Sequence, residues 1–167
     1  MLAWAIATLA AVAATGAAQQ TYARVSLDTA RQLHIVTSRG RRITPRRRGN
    51  QVAFAQPHLS PDHKSVGWLA VHPNDGTTYP IPMELVVLSN GRAHVFADDG
   101  LATWAWAFSP DGKRVVFEQG PVHGEHRSFE QRDIRTGRRL NSFAADSAVD
   151  VKRLPKWARV LAAAVSR

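Results

Sequence analysis

The sequence predicts an all-β protein made of antiparallel hairpins, and three observations predict it. A ten-residue turn unit, Leu59-Ser60-Pro61-Asp62-His63-Lys64-Ser65-Val66-Gly67-Trp68, returns 49 residues later as Phe108-Ser109-Pro110-Asp111-Gly112-Lys113-Arg114-Val115-Val116-Phe117. A second unit with a central glycine, Ser38-Arg39-Gly40-Arg41, returns as Ser89-Asn90-Gly91-Arg92 and Arg135-Thr136-Gly137-Arg138, at intervals of 51 and 46 residues. The two units alternate along the chain, and each separates two short β-prone runs, which is the signal of a hairpin.

Each unit carries its own turn chemistry. Ser, Pro, Asp and Gly at successive positions suit a type I turn, and a following glycine at positive φ closes a three-residue hairpin. In the first copy His63 stands in the glycine position, where it must take positive φ, which His tolerates better than a branched residue does. The glycine units join Leu33–Thr37 to Arg42–Thr44, Met83–Leu88 to Ala93–Ala97, and Phe129–Ile134 to Arg139–Phe143. The count is about ten strands: a lone hairpin followed by two four-stranded units. Val66–Val71 and Leu85–Leu88 are apolar on both faces, as strands buried between stacked sheets must be. Trp104, Trp106 and Phe108 alternate, which predicts three rings on one core-facing side of a strand, with sugar or peptide stacking as the alternative. Val71–Pro82 is a longer connection whose Tyr79-Pro80-Ile81-Pro82 favours extended backbone, and Tyr79 is a candidate partner contact. Asn74-Asp75-Gly76 and Asp98-Asp99-Gly100 read as polar turns without calcium-loop spacing. Beyond Pro155, Trp157, Val160, Leu161, Ala164 and Val165 recur at helical spacing, so an amphipathic helix is expected over 156–166 of a terminal segment 155–167.

Residues 1–18 are uncharged and small or apolar, and end in Thr15-Gly16-Ala17-Ala18 before Gln19-Gln20. They read as a signal peptide cleaved after Ala17 or Ala18, so the chain is expected to be exported, periplasmic or secreted, and to keep no membrane anchor. The repeat domain then covers 19–154. The absence of cysteine from the 167 residues excludes disulfides, thiolate metal sites and cysteine nucleophiles. The net charge is +9, with Arg far outnumbering Lys, which points toward anionic partners and says nothing of fold.

The Phe108–Phe117 stretch resembles the PD40 (TolB-type, WD40-like) β-propeller repeat, and Leu59–Trp68 is a weaker copy. The glycine hairpins resemble the outer hairpin of such a blade, and together these likenesses cover most of residues 30–143. The resemblance implies a short exported bacterial member of that family, acting as an interaction platform. Members also occur as propellers in front of peptidase domains, but the sequence holds no Gly-x-Ser-x-Gly elbow. Closed propellers have about four or more blades, so some two and a half blades predict either completion by a homo-oligomer or an open β domain.

Three groups of residues are candidates for chemistry. Arg39, Arg41, Arg42, Arg46, Arg47 and Arg48 fall within ten residues. They suit either an anionic envelope polymer or a solvated loop around Pro45, and no aromatic residue is interleaved for base stacking. His123, Glu125 and His126 are zinc-type ligands, but they lack both a full set and helical spacing. Ser60, Pro61, Asp62, Ser109, Pro110, Asp111 and Gly112 are accounted for by turn formation. No catalytic residue and no cofactor is assigned. The leading expectation is a non-enzymatic binding or scaffold module for another protein of the cell envelope. The alternatives are an anionic-polymer binder and a metal-dependent hydrolase.

Overall fold

The computed structural model describes residues 19–97, 100–146 and 150–165. The expected signal peptide at 1–18, Asp98 and Asp99 of an expected turn, and the end of the expected helix at 166 lie outside the described residues. Among the described residues eleven strands form three antiparallel sheets. The first sheet holds β1 (Tyr22–Leu27), β2 (Leu33–Thr37) and β3 (Arg42–Ile43) in that order. The second holds β4 (Ala53–Leu59), β5 (Ser65–His72), β6 (Ile81–Ser89) and β7 (Arg92–Phe96). The third holds β8 (Ala102–Phe108), β9 (Arg114–Gly120), β10 (Arg127–Asp133) and β11 (Arg139–Ala145). Each sheet is a meander in chain order, as hairpin turns between successive runs require.

The strand not foreseen is β1, so the expected lone hairpin is a three-stranded sheet. Its connection to β2 lacks glycine: Arg31 takes φ 56 and Asp28 Oδ1 accepts from the Gln32 N–H at 2.8 Å. Five of the other connections fall where the turn chemistry puts them. The Ser-Pro-Asp turns join β4 to β5 and β8 to β9, and the glycine turns join β2 to β3, β6 to β7 and β10 to β11.

Because every connection reverses direction, the stack has two distinct ends. All five of those tight turns lie at one, the turn end. At the other, the loop end, lie the β1–β2 turn, the β3–β4 linker, the β5–β6 loop and the β9–β10 loop.

The sheets stack in a row and alternate faces of each strand feed successive seams. Val66, Trp68 and Ala70 of β5 meet Tyr22, Leu33 and Ile35 of the first sheet. Leu69, with Leu85 and Val87 of β6, meets Trp106, Phe108 and Phe117 of the third sheet. Ala105, Ala107, Val116 and Phe129 on the far face of the third sheet are covered by Leu154, Ala158 and Leu161. Continuous burial along β5 is therefore the signature of a middle sheet.

Two expectations are corrected. Trp104 does not share a face with Trp106 and Phe108, because a β-bulge between Thr103 and Ala105 breaks the alternation. The indole of Trp104 instead lies 6.0 Å beneath the Arg127 guanidinium, which pairs with Glu118 at 3.1 Å. Burial raises the Glu118 carboxyl above the ordinary range and Arg127 opposes that rise. The terminal helix is also shorter than expected: α1 covers only Val160–Val165, after a 3-10 turn at Val151–Arg153. Between them the Arg159 guanidinium donates to the carbonyls of Leu154 and Lys152, at 2.9 and 3.0 Å, holding the segment in separate turns.

Candidate functional site

At the turn end the two Ser-Pro-Asp copies are nearly superposable in their bonds. Ser60 Oγ donates to Asp62 Oδ1 at 2.7 Å and Ser109 Oγ to Asp111 Oδ1 at 2.5 Å. The same carboxylate oxygens accept from the N–H of Lys64 and of Lys113, both at 3.1 Å. Ser60 and Ser109 are buried and accept from the N–H of Ser65 and Arg114. Both hydroxyls and both carboxylates are thus occupied inside their own turns, and Pro61 and Pro110 hold the corners. His63 has φ 58 and Gly112 φ 68, and each touches the preceding sheet. A Cβ on Gly112 would stand 2.6 Å from Asp62 Oδ1, while His63 Nδ1 reaches the Tyr22 carbonyl at 3.0 Å. Beside these turns a cleft of about 520 Å³ is lined by Asp62, Lys64, Arg92, His94, Lys113 and Asp133. Its charges are mixed. Burial, then Arg92, holds the His94 imidazole below its usual value, and the Thr136 hydroxyl keeps Asp133 low.

The loop end is built differently. The β5–β6 loop is closed on itself: Asn74 Oδ1 accepts from the Gly76 N–H at 2.8 Å, and the Thr77 hydroxyl donates to the Tyr79 carbonyl at 2.5 Å. His123 Nε2 donates to the Gly76 carbonyl at 2.8 Å, tying this loop to the β9–β10 loop of the next sheet. Tyr79 projects from the loop and is 61% exposed, far more than any other large apolar side chain among the described residues. A neighbouring cleft of about 500 Å³ is lined by Arg48, Asn50, His72, Met83 and Glu84. Here His72 Nδ1 lies 2.8 Å from Asn50 Oδ1, and its buried Nε2 faces Glu84 Oε2 at 3.7 Å without a hydrogen bond.

The candidate zinc-type residues do not converge. Donation to Gly76 places the proton on His123 Nε2, and His126 Nδ1 lies 3.3 Å from Asp146 in an exposed pair. Among the described residues no three His, Asp or Glu side chains are grouped as a metal-binding set.

The arginines expected as one loop are divided. Arg39 and Arg41 flank the β2–β3 turn at the turn end, Arg42 lies on β3, and Arg46, Arg47 and Arg48 lie on the β3–β4 linker at the loop end. All six are exposed. Arg24 joins them, because register places Arg24, Val36 and Arg42 in one row across the first sheet. Neither Arg24 nor the His72–Glu84 pair was singled out from sequence. A charge count over 19–50 would have found the first, whereas the second is made by a β-bulge opposite Val71.

No family model and no curated protein matches the chain. Similar solved structures include an oligogalacturonate lyase in complex with manganese, with 17% identity over 67% of this chain and 30% of that one, at a TM-score of 0.44. TolB from Acinetobacter baumannii is 22% identical over 78% of this chain and 31% of its own, at a TM-score of 0.43. The chain spans about a third of the length of these two proteins. The all-β assignment stands on the chain's own strand pairing.

Proposed function

We propose that the protein is an exported, non-enzymatic binding module of the cell envelope that presents its loop end to a protein partner. The observation that carries this reading is Tyr79: a large aromatic side chain, 61% exposed, on a loop already held by its own hydrogen bonds and by His123. Aromatic anchors dominate protein interfaces, and a loop ordered before binding loses less conformational freedom when it docks.

The test is photocrosslinking in the living cell, from a photoreactive residue at Thr78 and from a control at Thr136 on the turn end. A discrete adduct from position 78, lost on Tyr79→Ser and absent from position 136, is the expected result. No adduct from position 78, or equal adducts from both positions, would remove the loop end as the contact surface.

A further inference from the structure

We infer that the outer face of the first sheet, together with its two flanking turns, is a docking surface for phosphate-bearing anionic lipid headgroups. This goes beyond the protein contact proposed at the loop end and uses other residues.

Between Gln19 and Asn50 the chain carries eight arginines against one acid, Asp28, so +7 of the net +9 resides on the first sheet with its turns and the linker that follows. That single carboxylate is engaged by the His34 ring at 3.0 Å and by the Gln32 N–H, not by an arginine. None of the eight arginines forms an ion pair among the described residues, whereas Arg114, Arg127, Arg132 and Arg139 of the third sheet all do. The eight are also all exposed. A protein that merely needed solubility would have no reason to segregate its charge in this way, because interspersed signs serve solubility equally well.

The geometry selects the kind of anion. Inward-facing Leu33, Ile35 and Ile43 pack on the second sheet, so the alternate residues Arg24, Val36 and Arg42 face outward. Arg39 and Arg41 extend the charge past the turn end, and Arg46 and Arg47 past the loop end. These guanidinium groups are spread over neighbouring strands and past both ends of the sheet, and no exposed Phe, Tyr or Trp ring lies among them in the described residues. A planar array of phosphates can meet them simultaneously; a single-stranded nucleic acid would lack its Phe, Tyr or Trp stacking platforms. Guanidinium pairs bidentately with phosphate, which fits a surface where arginine is used to the exclusion of lysine.

The test uses the intact chain and sedimentation with vesicles of neutral phosphatidylcholine, alone or mixed with phosphatidylglycerol. Two variants remove equal charge: Arg24→Gln/Arg42→Gln/Arg46→Gln on the first sheet and the linker that follows it, and Arg92→Gln/Arg135→Gln/Arg138→Gln at the turn end of the other two. Binding is expected only to the anionic vesicles, to weaken with salt, and to fall on the order of a hundredfold in the first variant. The second variant should stay within about threefold of the parent. Equal losses in both variants would reduce the effect to net charge and overturn the assignment. Tighter binding to a single-stranded oligonucleotide than to the vesicles, at the same salt, would transfer the surface to nucleic acid.

Discussion

Asp111 gathers three donors on one carboxylate: the Arg114 guanidinium at 2.8 Å, the Ser109 hydroxyl and the Lys113 N–H. Together, with Arg114 foremost, they hold its carboxyl well below the usual carboxylate range. A depressed carboxyl contributes stability that is complete above its unfolded value, near 3.9, and is lost as pH falls through the folded value. Asp111→Asn should therefore cost about 1 kcal/mol at pH 7, mostly through the turn hydrogen bonds, since the exposed Arg114 pair is screened. In urea melts the gap between parent and variant should narrow steadily below about pH 4. A gap independent of pH would show that the charge on Asp111 is not what closes the turn. His63, at the equivalent of Gly112, shows how far such residues can be read in advance. Its positive φ follows from the turn chemistry of the segment alone. Its purpose does not, because the Tyr22 carbonyl that it binds lies 41 residues away in the chain.

At the scale of strands, the seam between the second and third sheets turns on one glycine and one tryptophan. A Cβ on Gly67 would stand 2.4 Å from the Trp106 ring, which is only 1% exposed. The ring is held there because the β4 bulge, with Gln56 at φ 45, turns the Gln56 carbonyl to accept from Trp106 Nε1 at 3.2 Å. Gly67→Ala should cost about 2–3 kcal/mol, as overpacking against a ring that cannot retreat. Trp106→Phe alone should also destabilise, through lost ring contacts and the lost Gln56 bond. The double variant should be less destabilised than the sum by roughly 1 kcal/mol or more, because the smaller ring vacates the space the methyl needs. Additive losses in thermal melts would mean that the β5 strand shifts to relieve the clash without help from Trp106. Hairpin positions were legible because Ser-Pro-Asp and glycine turns act locally. The bulges were not, because at Trp104 and Gln56 nothing in the local pattern marks an inserted residue. β1 is not legible for a similar reason: the turn after Tyr22–Leu27 is closed by Asp28 and Arg31 in place of glycine.

At the scale of the whole molecule, three sheets in a row have two terminal faces, and a further blade or a second copy would have to dock on one of them. The face of the third sheet is apolar, with Ala105, Ala107, Val116 and Phe129, and the segment carrying Leu154, Ala158 and Leu161 already covers it. The face of the first sheet carries Arg24 and Arg42 and the bulk of the net charge, so two such faces repel one another. Terminal repeats with a polar outer face are what keep a stacked array from growing. The charge bias could be counted directly from the residues, but which face each end presents depends on the stacking order and on where the final segment lies. From that order the chain from residue 19 to 167 should have the mass of a single copy by light scattering on a sizing column. Removing residues 154–167 should change this, because it uncovers an apolar face whose larger side chains are each worth about 1.5–3 kcal/mol on burial. The shortened chain is expected to self-associate while keeping its strand signature in circular dichroism. A salt-independent dimer or trimer of the longer chain would instead mean that a second copy closes the arc, and the terminal segment would then be a contact between copies, not a cap.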